Sequence, residues 1–266
     1  MNQIFDINRA MLFSKLKFNL SKKIFLISIG GFFSLIFIIT FFMAYSISPG
    51  QEFYFDNFHT ASFVFMLFAG TIFLAGRSYY DMNTPEKSLT QIMVPASTFE
   101  KFIIPAIATS LGWLIVSFLS YEVFAAFVNI VWSGLFGLSI ELFNIFDLIN
   151  NERLFEFSKG YLMVHSVFFL GATAFKKYPI AKTLLTGFLI NVAFTFFTFL
   201  LIIIFFGTFN EFGHNFDNNF RSHFFENYFS IDFVKNLSKT VELIFTILIP
   251  SAIYIAAFFK LKEREV

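Results

Sequence analysis

Six long apolar stretches constrain the fold of this 266-residue chain more than any other feature. A helix needs roughly 20 apolar residues to cross the bilayer hydrocarbon, where every backbone group must be paired within the protein. The sequence therefore predicts an all-α, polytopic transmembrane helical bundle, with residues 1–266 as a single membrane domain. The six predicted spans are Ile24–Tyr45, Thr60–Gly76, Ile103–Phe127, Ser158–Phe175, Thr183–Phe206 and Thr240–Phe259.

Composition supports this interpretation and excludes several classes of function. Hydrophobic residues make up 57% of the chain and charged residues only 14%, which is too little polar surface for a soluble domain of this length. A net charge of +1 argues against nucleic-acid binding, which needs a basic face. Because the chain has no cysteine, disulfides and thiolate metal sites are excluded.

The distribution of lysine and arginine predicts the orientation in the membrane. Basic residues are enriched in cytoplasmic segments next to spans, and here fourteen of the nineteen fall on one side if the chain crosses six times. We therefore expect the chain to lie in the inner (cytoplasmic) membrane of a cell, with both termini in the cytoplasm. The fourteen are Arg9, Lys15, Lys17, Lys22, Lys23, Arg77, Lys87, Lys101, Lys176, Lys177, Lys182, Lys260, Lys262 and Arg264.

The apolar run from Ile103 to Phe146 is longer than one crossing needs. Two spans there would place the downstream basic cluster outside, so we favour one span and an external interfacial segment over residues 134–157. A second external loop is predicted over 209–238. It contains His214 and His223, whose spacing favours an ordinary loop over a metal site.

The first 22 residues have the pattern of an interfacial amphipathic helix. Phe5, Leu12, Leu16 and Leu20 lie near one stripe, with basic residues elsewhere. The alternative interpretation is a basic flank that only sets the topology.

Residues 84–102 form a predicted cytoplasmic elbow of two helices separated by a proline corner. Thr84 and Pro85 begin a short helix whose apolar positions, Leu89, Ile92 and Met93, share one face. After Pro95, the sequence Ser97-x-x-Glu100 is a capping box that begins the helix of the third span. The short helix has two equally weighted interpretations: it docks into a groove of a cytosolic partner, or it rests on the inner leaflet.

Three polar residues within the spans are candidates for a translocation path. Glu122 is the strongest, because a carboxylate in a membrane usually faces the bundle interior or a water-filled path; the alternative is a neutral, hydrogen-bonded or snorkelling side chain. His165 and Asn191 are more typical of interhelical hydrogen bonds. We identify no catalytic residues, no metal ligands and no cofactor-binding motif, and no phosphate loop occurs.

The arrangement resembles the permease subunit of an ABC-2 type ABC transporter, in particular the short permeases of Bacteroidetes-like bacteria. Its most specific residues are those from Val94 to Phe102, VPASTFEKF, which are similar to the family pattern LPASxxEKF. Phe169-Leu170-Gly171, Lys176-Lys177, Lys182-Thr183, Tyr254 and Phe259 to Glu263 add to the likeness.

The resemblance implies an exporter subunit that is not an enzyme and works as a dimer with a second permease copy or homologue. It further implies that a separate ATP-binding subunit receives the elbow as a coupling helix. The implied coupling residues are Pro85, Leu89, Ile92, Met93, Pro95, Ser97, Glu100 and Lys101. The alternative function is a polytopic membrane protein without a transport role, such as a sensor or an assembly factor.

Overall fold

The computed structural model of this chain describes residues 5–46, 56–83, 94–137, 153–206 and 244–265. Within those ranges the chain is helical almost throughout and contains no strand, as predicted. A short 3-10 helix, Tyr80–Asn83, follows the second helix, and a π-helical turn, Ile244–Leu248, precedes the last. The six helices of the described ranges are α1 (Ile7–Ser46), α2 (Asp56–Arg77), α3 (Thr98–Phe136), α4 (Arg153–Ala174), α5 (Pro179–Phe206) and α6 (Ile249–Glu265).

Four segments of the described ranges are long and apolar enough to cross a membrane: Phe25–Ser46, Phe58–Met82, Thr98–Phe136 and Pro179–Leu201. They indicate a multi-pass membrane protein. Helices α4 and α6 lie where the fourth and sixth spans are predicted, but α4 is more polar and α6, with 17 residues, is shorter. Helix α4 packs against α2, α5 and α6, and an interior helix does not need a fully apolar surface. Its crossing and that of α6 stay predictions.

Helices α1 and α3 run side by side in the same direction. Helix α1 continues without a break from the predicted interfacial segment into the first span, and its 40 residues extend roughly 60 Å. The ring contacts that join the two helices advance together along both, at Phe5–Phe99, Phe25–Trp113, Phe33–Phe124 and Phe41–Phe136.

The other helix pairs fix the remaining directions. Helices α2 and α4 run opposite to α3, as the hydrogen bonds between them show. Helix α6 runs in the same direction as α4, because Tyr254 contacts His165 and the later Arg264 contacts the later Ala172. Helix α5 starts where α2 and α4 end, because Ile180 and Thr183 pack against Gly76 and Gly171. The starts of α1, α3 and α5 and the ends of α2, α4 and α6 therefore meet at one end of the bundle. It carries thirteen of the fourteen basic residues predicted to be cytoplasmic, all except Lys87, and we call it the basic end.

The helices include most of the predicted interfacial segment at the N-terminus and most of the long apolar run that starts at Ile103. Leu12, Leu16 and Leu20 of the predicted stripe are exposed, whereas the ring of Phe5, although partly exposed, contacts Phe99 of α3. Residues 103–136 belong to one continuous helix, as the preferred single-span interpretation requires. The predicted external segment 134–157 is helical at both edges, whereas residues 138–152 and the loop 209–238 lie outside the described residues.

Helix α3 contains a proline whose missing N–H is compensated by another helix. Pro105 cannot donate to the carbonyl oxygen of Lys101, four residues earlier. The hydroxyl of Tyr79, which is buried at the end of α2, donates to that oxygen at 3.3 Å. The irregularity in α3 therefore links it to α2.

A phenylalanine at position 79 tests this link. We expect Tyr79→Phe to lower the free energy of unfolding in detergent by about 1–3 kcal/mol, because the Lys101 carbonyl loses a donor. Adding Pro105→Ala should remove most of this loss, since residue 105 then supplies an N–H. The exposed neighbour provides the control, Tyr80→Phe. An equal loss with and without Pro105 would contradict the explanation.

Candidate functional site

The second half of the elbow, at the start of α3, forms the capping box expected from the sequence. The N–H of Glu100 donates to Ser97 Oγ at 3.1 Å, and the N–H of Ser97 donates to Glu100 Oε2 at 2.8 Å. Two of the N–H groups at the start of α3 are thereby paired.

The other carboxylate oxygen of Glu100 holds the start of α1. Oε1 accepts from the backbone N–H of Asp6 at 2.6 Å and from Nη2 of Arg9 at 3.1 Å. Asp6 in turn caps α1, since its Oδ1 accepts from the N–H groups of Asn8 and Arg9 at 2.8 and 3.2 Å. We call this contact of Asp6, Arg9, Ser97 and Glu100 the N-terminal joint.

The electrostatics of the N-terminal joint favour an ionised Glu100. Its side chain is fully buried, and the burial of a charge is tolerated when the charge is paired and hydrogen-bonded. Arg9 supplies the opposite charge and remains about one-third exposed. The positive ends of α1 and α3 both face the carboxylate, which adds a favourable dipole interaction.

The structure separates the predicted coupling residues by role. Pro95 is exposed, whereas Glu100 and Lys101 are buried within the bundle. Glu100 thus holds the starts of two helices together, and its coupling role stays a prediction. The anchors proposed for docking, Pro85, Leu89, Ile92 and Met93, lie outside the described residues.

Further contacts tie the surrounding helices together at the basic end. Lys17 Nζ pairs with Asp81 Oδ2 at 3.2 Å, which connects α1 to the 3-10 helix after α2. Arg264 Nη1 donates to the carbonyl oxygen of Ala172 at 3.0 Å and so caps the end of α4. Partial burial lowers the pKa of Arg264, but a guanidinium keeps its charge at neutral pH.

A second polar cluster lies in the interior, around a π-helical turn of α3, Ala108–Gly112. His165 of α4 is fully buried between Thr109, whose Oγ1 lies 2.9 Å from Nε2, and Tyr254, whose hydroxyl lies 2.6 Å from Nδ1. Because Thr109 donates its proton to the Pro105 carbonyl at 2.7 Å, Nε2 of His165 donates to Thr109 and Nδ1 accepts from Tyr254. His165 is therefore an interhelical hydrogen-bonding group, as its residue type predicts.

The other two candidates for a translocation path lie apart from this cluster. Glu122 is half-buried on α3, thirteen residues beyond Thr109, which corresponds to roughly 20 Å along the helix. Asn191 is exposed on α5, and the described part of the chain places no interhelical hydrogen bond on it. The structure does not bring Glu122, His165 and Asn191 together.

Several residues of both clusters were not singled out from the sequence. Asp6 and Arg9 sit more than ninety positions from Glu100, so no local pattern connects them. Tyr161, which donates to the Ser110 carbonyl at 2.8 Å, pairs a carbonyl of the π-helical turn. The one local signal for such donors is Pro105, which predicts an orphaned carbonyl in a membrane helix.

Comparison with protein-family models, with curated proteins and with solved structures gives no match for this chain. The function of this chain is therefore inferred from its sequence patterns and from the geometry of its helices and of the N-terminal joint.

Replacing Glu100 by glutamine tests the N-terminal joint. All three groups beside the carboxylate are donors, so the amide NH2 would face another donor and the charge pair with Arg9 would be lost. We expect the start of α1 to detach in part, at a cost of about 1.5–3 kcal/mol.

The chain has no cysteine, so spin labels at Asn8→Cys and Lys177→Cys report on this joint without background. Electron-electron distance measurements should give a broader distribution for Glu100→Gln than for the parent. Glu263→Gln, in the exposed pair of Glu263 with Lys260, is the matched control and should leave the distribution unchanged. An unchanged distribution for Glu100→Gln would show that the joint does not hold α1.

Proposed function

We propose that this chain is the membrane-spanning permease subunit of an ATP-driven exporter of the ABC-2 type. In this proposal six helices cross the cell's inner membrane, and both termini are cytoplasmic. The observation that carries it is the alternating direction of the packed helices, which gathers thirteen basic residues at one end of the bundle. Basic residues near helix ends are retained in the cytoplasm. An even number of crossings therefore agrees both with the alternating helix directions and with the basic residues at one end.

The N-terminal joint supports a role in coupling. The elbow leads directly into α3, and Glu100 fixes the start of α1 to the start of α3. A force applied to the elbow by a separate ATP-binding subunit would therefore move α1 and α3 as one unit. We expect the apolar face of Leu89, Ile92 and Met93 to supply the contact with that subunit.

Helix α5 supports association with a second permease copy. Its residues 184–201 are all exposed, and it contacts the bundle mainly near its start, through Ile180 and the buried Thr183. Asn191 on this exposed face offers a hydrogen-bonding group, a common element of interfaces between membrane helices. Homologous or identical copies meeting through α5 would form the translocation path between them, and Glu122 is the residue of α3 that we assign to its lining.

Copurification tests the coupling role. An ATP-binding subunit expressed with this chain should be recovered with it from mild detergent. Leu89→Asp together with Ile92→Asp should lower the recovery by more than about tenfold, because a carboxylate in an apolar groove is costly. Thr90→Asp, predicted to lie on the polar face of the same short helix, is the matched control.

Equal recovery with the parent, the double variant and the Thr90→Asp control would exclude docking through this face and favour the alternative of a sensor or an assembly factor. Repeated recovery of the chain alone would also count against the transport role.

Accessibility of single cysteines tests the topology. A membrane-impermeant maleimide should label Lys235→Cys in intact cells, whereas Lys87→Cys and Lys15→Cys should react only after the membrane is permeabilised. The absence of native cysteine makes the parent chain the blank. Labelling of residue 87 from outside would place the elbow away from ATP and end the proposal.

A further inference from the structure

An apolar groove lies between α1, α2 and α3 on the outer surface of the bundle. Its volume is about 180 Å³, and its walls come from Phe25, Ile29 and Phe32 of α1 and from the facing residues of α2. Apolar cavities of about 150 Å³ hold a molecule of benzene size, so this groove has room for part of an acyl chain. Ser28 on the α1 wall is exposed, so the groove is open towards the lipid.

The floor of the groove is built in place. Trp113 of α3 closes it, and the indole N–H donates to the Leu67 carbonyl at 3.0 Å, which fixes the orientation of the ring. Gly70 of α2 lies directly against the indole, and any larger residue would displace the ring. The groove is therefore held open by packed residues.

Two cations lie just beyond the groove, on the helix faces that form it. On α2, the stripe of Met66, Gly70 and Phe73 continues to Arg77 at helical spacing, and the guanidinium lies 5.2 Å from the centre of the Phe73 ring. On α1, Lys22 precedes Phe25 and Ile29 by one and two turns. Because α1 and α2 run in opposite directions, both cations lie at the basic end.

Arg77 has no carboxylate partner among the described residues, where its contacts are the rings of Phe73 and Tyr80. The nearby carboxylate of Asp81 is paired with Lys17. The site therefore has a cation at the headgroup level and the apolar groove below it. This arrangement complements an anionic amphiphile.

We propose that this groove binds one acyl chain of an anionic phospholipid of the inner leaflet, with the phosphate at Arg77 and Lys22. A helix of a second protein chain fits less well, since a volume of about 180 Å³ is too small for a segment about 10 Å in diameter. A free phosphate would use the cations but leave the apolar slot unfilled. The lipid site is independent of the exporter role, and only its assignment to the inner leaflet rests on the proposed orientation of the basic end.

Trp113 provides a direct readout, because the chain has only two tryptophans. In a Trp132→Phe background, Trp113 is the single fluorophore. Reconstituted in phosphatidylcholine vesicles, it should be quenched more strongly by brominated phosphatidylglycerol than by brominated phosphatidylcholine at equal bromine content. Arg77→Ala and Lys22→Ala should each lower the apparent affinity for the anionic lipid about fivefold.

Matched variants distinguish binding of the lipid headgroup from binding of the acyl chain in the groove. Arg77→Lys should keep the preference for the anionic lipid, and Lys177→Ala, at the same end but on the turn between α4 and α5, should not alter it. Ala69→Phe should fill the slot and reduce quenching by both lipids, whereas Ala61→Phe, exposed on the same helix, should not.

Native mass spectrometry of the unmodified chain gives a second measurement. After extraction from mixed vesicles, the parent should retain phosphatidylglycerol, and the Arg77→Ala Lys22→Ala double variant should not. Equal quenching by the two lipids, or a preference that survives removal of both cations, would overturn the proposal. Retention that survives Ala69→Phe would place the lipid elsewhere.

Discussion

The pairing of backbone groups away from water is the constraint on which this bundle depends. Helix α3 departs from regular geometry at Pro105 and again at the π-helical turn Ala108–Gly112, and each departure leaves carbonyl groups that need donors. The donors come from neighbouring segments, Tyr79 in the turn after α2 and Tyr161 of α4. The irregular part of α3 is thus linked to two neighbouring segments by hydrogen bonds to its backbone.

The same principle applies at the start of α3, with a charge in place of a hydroxyl. The first N–H groups of a helix have no partner within it, and two helix starts meet at Glu100. One carboxylate pairs N–H groups of both, and Arg9 compensates its charge. Substitution of this carboxylate by an apolar residue would leave donors on two helices unpaired, which explains why a buried acid is stable at this position.

Local patterns predicted the parts of this structure that depend on neighbouring residues. The capping box of Ser97 and Glu100, the approximate positions of the helices in the described ranges and the hydrogen-bonding role of His165 follow from short spacings or residue types. The partners of Glu100 do not, because Asp6 and Arg9 meet it only after α1 and α3 have packed. The unbroken course of α1 was also missed, since an amphipathic segment and an apolar span have different patterns although their backbone is continuous.

The hydropathy of a helix and its packing in the bundle give different information about whether it spans the membrane, as α4 and α5 show. Helix α5, exposed over residues 184–201, is among the four strongly apolar segments, whereas α4, which packs against three other helices, contains a predicted span but is not among the four. Direction is a stronger guide for such interior helices. Helix α4 starts at the end opposite to the starts of α3 and α5, and it is long enough, at 22 residues, to extend roughly 33 Å. Helix α4 pairs the polar side chains of Tyr161 and His165 with α3 and α6, and a helix packed against other helices can carry such residues without exposing them to lipid.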